Sequence, residues 1–246
     1  MSMMYREPIH IKAPRDKVSE KVIAVGDPDR ARYIAEKFLE KADLVNKHRG
    51  FILYTGIHEG ERITVACHGV GAPSASIVFE ELIMLGAKTI VRLGTTGALT
   101  PELRRGDIVV VAGAGYFLTS PILELTEGVV VPAVPDLELT QRLYSSLRSR
   151  LTNRRVELAR VMSNDMFYVE SPDLAKRLSR IGFKTIEMEC ATLFVIGALR
   201  GVRTAAVLLV SNSLVRDEER EIPVSDVINR MYDDVVPVIL DSLKEI

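Results

Sequence analysis

Residues 62–93 read RITVACHGVGAPSASIVFEELIMLGAKTIVRL, and this stretch decides the fold. The β-branched runs at 62–66 and 89–93 have the character of strands, while residues 74–85 place apolar side chains at three- and four-residue spacing behind Pro73 and Ser74. The same alternation continues outward in both directions. Further strands are expected at 21–25, 107–112, 156–162 and 204–210, and helices at 29–39, 136–151, 172–181, 189–200 and 224–243. Residues 51–57 and 62–66 flank Glu59-Gly60-Glu61 as the arms of a hairpin would, which requires a mixed sheet. The expected class is α/β, one domain over residues 1–246 with a mixed, twisted central sheet and helices on both faces.

Composition narrows the partners. With 47% hydrophobic and 26% charged residues among 246, the chain has the apolar content a large packed core needs. Its 32 Lys and Arg against 33 Asp and Glu leave a net charge of -1, so there is no global attraction to nucleic acid or to an anionic membrane. Any anion site must be a local cluster of cations. Cys67 and Cys190 are too few for a disulfide framework, and neither a CxxC pair nor metal-ligand spacing among the four histidines suggests a metal. Both read as buried thiols in a reducing cytoplasm. The opening Met-Ser-Met-Met-Tyr-Arg-Glu-Pro lacks the apolar core of a signal peptide, and no apolar run approaches the ~20 residues of a membrane span.

Ligands of α/β folds sit beyond the carboxyl ends of strands, so the loops there are where chemistry is expected. Gly26-Asp27-Pro28-Asp29-Arg30 turns into a helix whose first turn holds an Arg, and backbone N–H groups plus a guanidinium suit a phosphate. Arg92-Leu93-Gly94-Thr95-Thr96-Gly97 puts an Arg in an otherwise apolar strand, where it needs an anionic partner, either a ligand or a carboxylate. His68-Gly69-Val70-Gly71-Ala72-Pro73-Ser74 is a third glycine-rich entry to a helix. None carries a dinucleotide fingerprint or a Walker lysine, which disfavours nicotinamide cofactors and ATP. Ile186-Glu187-Met188-Glu189-Cys190 flanks a Met with carboxylates at the start of an apolar helix. Glu189 there fits a favourable charge at a helix N-terminus, and it equally fits a carboxylate accepting from the two hydroxyls of a ribose.

Taken in order, these loops resemble the hexameric purine nucleoside phosphorylase and uridine phosphorylase family. Glu7-Pro8-Ile9-His10, Arg49-Gly50-Phe51, Tyr54-Thr55-Gly56, Phe167-Tyr168 and Ser211-Asn212 extend the match, with wording similar to archaeal purine nucleoside and methylthioadenosine phosphorylases. The resemblance implies a phosphate pocket of Gly26, Arg30, Arg92 and Thr95, with Arg49 contributed across a subunit boundary. It implies a ribose pocket of Val70, Glu187, Met188 and Glu189, reached at the 5′ end by His10 of a neighbouring subunit. Phe167 would lie along the base, and Ser211 and Asn212 would meet its polar edge. Arg92, Glu189 and Asn212 would then carry catalysis, with inorganic phosphate as co-substrate and no cofactor. It further implies a cytoplasmic homo-oligomer, a hexamer built from dimers.

The match has one departure. Purine-cleaving members commonly carry Asp at the base edge to protonate N7, whereas this chain has Val210-Ser211-Asn212-Ser213, and an amide is no practical proton donor. A 6-oxopurine is therefore expected ahead of a 6-aminopurine. Uridine is the alternative, because Gly94-Thr95-Thr96-Gly97 and Glu221-Ile222-Pro223 lean toward uridine phosphorylases. Their uracil-reading Gln and Arg, however, are missing after Phe167-Tyr168, where Val169-Glu170-Ser171-Pro172 follows. A nucleosidase would not need the three Arg positions, and a non-catalytic nucleoside-binding protein would need only the ribose pocket. His48, His58 and His68 are expected to be structural.

Overall fold

The computed structural model describes residues 7–245. Of the opening segment 1–8, in which no signal peptide is expected, residues 1–6 lie outside them. Among the described residues no helix is long and apolar enough to cross a membrane.

The sheet is mixed and nine-stranded, flanked by helices on both faces as expected. Strands β1 (Lys21–Val25), β4 (Glu61–Cys67) and β5 (Thr89–Ala98) are parallel neighbours. β3 (Leu53–His58) joins β4 through the expected hairpin, in which Glu59 and Gly60 are both left-handed at φ 46° and 87°, as a two-residue turn between twisted strands requires. On the other side the sheet curls. β5 pairs with β8 (Thr185–Glu187), β8 with β7 (Val156–Ser163), β7 with β6 (Ile108–Tyr116) and β6 with β9 (Arg203–Ser213), which returns to β5 and closes the ring. Periodicity carries no information on such closure.

The layers follow from which faces are apolar. Helices α2 (Gly71–Met84) and α6 (Cys190–Arg200) pack together on one face, burying Val78, Phe79, Leu82, Leu193 and Phe194. Helices α1 (Pro28–Phe38), α4 (Leu137–Arg150) and α8 (Val235–Lys244) cover the other. Between α2 and α4 lies a short α3 (Ile122–Leu125), and α5 (Pro172–Arg180) follows β7 with Leu174, Ala175 and Leu178 buried. The remaining edge strand, β2 (Glu40–Asn46), escapes a hydrophobic reading because its solvent face is Glu, Lys and Asp, as suits an edge.

Three expected boundaries are corrected. The helix expected at 224–243 is two helices, α7 (Ser225–Arg230) and α8, separated by a turn over 231–234. Pro237 lacks the N–H that would bond the Asp233 carbonyl, and its ring would clash there, so the helix cannot run through. The loop expected after residue 93 is strand, because β5 keeps pairing with β9 as far as Ala98. β9 likewise runs past 210, so Ser211 and Asn212 are strand residues. β8 is only three residues long, too short for a periodic signal.

Candidate active site

The carboxyl ends of β1, β4, β5 and β9 and the start of α6 surround one cleft. Gly26, Arg30, Arg92 and Thr95 line it, as do Val70, Glu187, Met188 and Glu189. So do Phe167, Ser211 and Asn212. Thus residues from distant loops, grouped by motif alone, share one concave surface.

Its centre is a buried ion cluster. Arg92 is 4% exposed on β5, and its Nη2 pairs with Glu189 Oε2 and lies 3.4 Å from Glu187 Oε2. The carboxylate partner expected for Arg92 is thus present, while its Nε and Nη1 find no protein partner among the described residues. Burial would lower the Arg92 pKa, but Glu189 and Glu187 raise it, so the charge is permanent. Burial would likewise raise the Glu189 carboxyl, and Arg92, His68 and the Gly71 N–H hold it below the usual carboxylate range. Glu189 faces α2 and not its own helix. Its Oε1 accepts from Gly71 N–H at 2.7 Å, at the start of α2. Glu187 supplies the cap at α6, with Oε2 accepting from the N–H groups of Glu189 at 2.8 Å and Cys190 at 2.9 Å. Ser163 Oγ, which accepts from Ala191 N–H at 3.0 Å, donates to Glu187 Oε1. Both carboxylates are held by donors before any ligand arrives.

Gly94 has a packing reason. A Cβ there would collide with the Arg92 guanidinium, which folds back over this residue. Beside it, Arg30 is 7% exposed, and its guanidinium carbon sits 4.9 Å from the centre of the Tyr232 ring. The start of α1 is less open to an anion than its sequence suggests, since Asp27 caps it by accepting from Asp29 N–H at 2.8 Å. His68 is fully buried against Phe79, with ring centres 5.3 Å apart, and neither ring nitrogen has a protein partner among the described residues. Burial and the nearby Arg92 pull its pKa down to about 4 against the opposing pull of Glu189, so the ring is neutral at pH 7.

Where β5 meets β9 the register slips between Thr96 and Gly97, so Thr96 pairs with Val210 and Gly97 with Asn212. Ser211 is the extra residue. Such a bulge re-aims side chains and is common beside active sites. Ser211 Oγ donates to Asn212 Oδ1 at 3.1 Å, which leaves the Asn212 amide NH₂ as its outward donor. The Thr96 hydroxyl is used elsewhere, donating to the Ile186 carbonyl at 2.7 Å.

Glu170 and Ile222 also line the cleft and were missed. A turn of 3-10 helix over Phe167–Val169 brings the Glu170 N–H to the Phe167 carbonyl at 3.1 Å. Phe167, Glu170 and Asn212 share a second, adjoining depression with Arg220. Burial pushes the Glu170 carboxyl up to about 7. The signal available in the sequence is a carboxylate three residues after the aromatic, where uridine phosphorylases carry Gln and Arg.

His10 and Arg49 are not in the cleft. The Glu81 carboxylate of α2 holds the segment before β1, accepting from the N–H groups of Ile9, His10 and Ile11 and from His10 Nδ1 at 2.7 Å. Burial would raise this carboxyl, but those donors, His10 foremost, keep it below the usual range. His48 Nδ1 meets the His10 carbonyl at 3.1 Å, and Arg49 beside it has a left-handed backbone at φ 56°. The two expected cross-subunit residues thus lie close together, away from the cleft lining of their own chain. His58 bonds Asp241 at 2.9 Å. With Glu59 these side chains are near enough to share a cation, but Arg150 and Lys244 already pair with Asp241 and Glu59.

The chain is similar to known proteins in both sequence and fold. The model of the phosphorylase superfamily matches residues 20–235. A DeoD-type purine nucleoside phosphorylase of Roseobacter denitrificans is 34% identical over 235 residues, 95% of this chain and 98% of the relative. One of Streptococcus suis is 36% identical over 215 residues, 86% of this chain and 89% of the relative. The crystal structure of purine nucleoside phosphorylase from Toxoplasma gondii in complex with immucillin-H superposes with a TM-score of 0.87 at 26% identity, covering 100% of this chain and 98% of that one.

Proposed function

The chain belongs to the phosphorylase superfamily, and from that membership we propose that residues 1–246 form one purine nucleoside phosphorylase domain. It uses inorganic phosphate to cleave the N-glycosidic bond of a purine ribonucleoside, releasing the base and ribose 1-phosphate. One observation carries the reading: a single cleft joins cationic donors without a protein partner among the described residues to a wall of buried carboxylates.

In this reading Arg30, the free Nε and Nη1 of Arg92, Thr95 and the Gly26 backbone hold phosphate against the sugar. Positioning and charge balance are their contribution. A phosphate oxygen attacks the anomeric carbon, the bond to the base breaks, and its electron pair leaves with the base, whose nitrogen then takes up from solvent the proton that the phosphate gives up. Glu189 accepts from the ribose diol and, with Glu187, faces the cationic character of the sugar at the transition state. Val70 and Met188 cover the sugar and Phe167 lies along the base. The Asn212 amide donates to the departing base without protonating it, and Glu170 accepts from N1–H of a 6-oxopurine. A 6-oxo base satisfies both groups, hence the preference for inosine or guanosine.

Phosphate is the co-substrate, and no step calls for a metal or cofactor. His10 and Arg49 complete the cleft of a neighbouring copy, in a hexamer built from dimers. The two free, buried cysteines suit the cytoplasm as its place of work. The test is a panel of inosine, guanosine, adenosine, methylthioadenosine and uridine, each with and without phosphate. Phosphate-dependent release of hypoxanthine is expected. Cleavage that ignores phosphate, or strong turnover of uridine alone, would defeat the proposal.

A further inference from the structure

We infer that Tyr232 is the positioning residue for Arg30, holding its guanidinium by the face of an aromatic ring so that the N–H donors stay free for phosphate. The inference rests on the phosphate-binding role given to Arg30 above. Arg30 is 7% exposed, yet no salt bridge among the described residues includes it, and its Nε has no hydrogen-bond partner there. A buried cation left so would be unstable without some source of negative potential. That source is the Tyr232 ring, with the guanidinium carbon 4.9 Å from its centre. Arg92 shows the other solution, in which Glu189 and Glu187 take up Nη2 and only the remaining donors are free. A ring face attracts the cation without accepting any of its hydrogens, and it cannot repel an incoming anion as a carboxylate would.

The ring is itself fixed. Tyr232 is fully buried in the turn between α7 and α8. Its N–H bonds the Asn229 carbonyl at 3.0 Å, and its carbonyl accepts from Val235 N–H at 3.0 Å and Val236 N–H at 2.9 Å. The break in the terminal helix, forced by Pro237, therefore sets the aromatic beneath Arg30. The Tyr232 hydroxyl has no partner among the described residues, so the ring and not the hydroxyl carries the role.

Calorimetric titration of the purified protein with inorganic phosphate tests this, alongside steady-state kinetics on inosine. Tyr232→Phe should keep the phosphate Kd within about twofold, whereas Tyr232→Leu should weaken it by about 3- to 30-fold, the range of a cation–π contact. The KM for phosphate should rise in step while the KM for inosine stays put. An unchanged phosphate Kd in a folded Tyr232→Leu protein overturns the inference, as does a Phe variant as weak as Leu or a parallel rise in both KM values. If Tyr232→Leu does not fold, phenylalanines of increasing ring fluorination at 232 keep the shape and weaken the ring's negative face. Kd should climb with each fluorine, and a flat series overturns the inference. A wild-type protein that binds phosphate but cleaves nothing defeats the enzyme reading alone, because Tyr232 is still judged on Kd. One that binds no phosphate defeats both.

Discussion

Replacing Glu170 with Gln removes a carboxyl that burial pushes up to about 7, in a cleft it shares with Phe167 and Asn212. If that carboxylate accepts N1–H of a 6-oxopurine, only its ionised form works. With a pKa of about 7, roughly one-tenth is ionised at pH 6 and roughly nine-tenths at pH 8, so kcat/KM for inosine should rise about tenfold between them. Adenosine presents a bare N1 acceptor, which needs the protonated carboxyl, and should move about tenfold the other way. Taking the inosine-to-adenosine ratio at fixed phosphate cancels the titration of phosphate itself. In Glu170→Gln the ratio should no longer follow pH. At pH 8 kcat/KM for inosine should fall by about 5- to 13-fold, because the Gln amide oxygen still accepts N1–H and only the difference of about 1–1.5 kcal/mol between a charged and a neutral hydrogen bond is lost. The same carboxyl should appear in stability. Its pKa is higher folded than the ordinary 4.5, so the folded state binds the extra proton, and stability is lost as pH rises from about 4.5 through about 7. The Tm of Glu170→Gln minus that of wild type should therefore grow from pH 5 to pH 8. A wild-type ratio that is flat with pH, or an inosine kcat/KM at pH 8 within about threefold of wild type in the variant, would refute the reasoning.

Gly94→Ala drives a methyl group into the Arg92 guanidinium. Phosphorolysis should fall at least about 100-fold, measured as kcat/KM for phosphate, with loss of stability since Arg92 cannot move without breaking its pairs to Glu189 and Glu187. Arg92→Ala should destabilise by about 3–5 kcal/mol in denaturant melts, because two buried carboxylates lose their cation, so its inactivity is to be read beside that measurement. Glu189→Gln should slow ribonucleosides more than 2′-deoxyribonucleosides, and equal losses in kcat/KM would count against diol binding. Asn212→Asp should raise adenosine turnover relative to inosine by restoring a proton donor for N7; full recovery would approach about 10²–10⁴-fold, and an unsupported Asp should give part of it.

The readings that succeeded rested on local chemistry. A hairpin with left-handed Glu59-Gly60, Pro28 and Ser171 at helix starts, and the β-branched run of β1 ending at Gly26 all express their structure within a few residues. The residues at Gly26, Val70, Arg92 and Glu187–Glu189, which line one cleft, were each conspicuous in the sequence because Arg in an apolar strand or paired carboxylates at a helix start need an explanation. What failed was whatever depended on partners distant in sequence. β8 exists because β5 and β7 flank it, and β5 runs on through Gly97 because β9 is alongside. Glu170 is an ordinary acid in the sequence, and its altered carboxyl comes from burial alone.

The sequence by itself determined the α/β class, the order of the elements and the residue types offered to the cleft, since periodicity, turn chemistry and charge are written in neighbouring residues. Only the tertiary structure decided which donors remain free. Arg92 keeps Nε and Nη1 because Glu189 and Glu187, almost a hundred residues on, take its Nη2. Arg30, whose Nε has no partner among the described residues, lies over the ring of Tyr232 on the far side of the sequence. Such pairings are set by strand register and helix packing, which bring together groups that no local pattern relates.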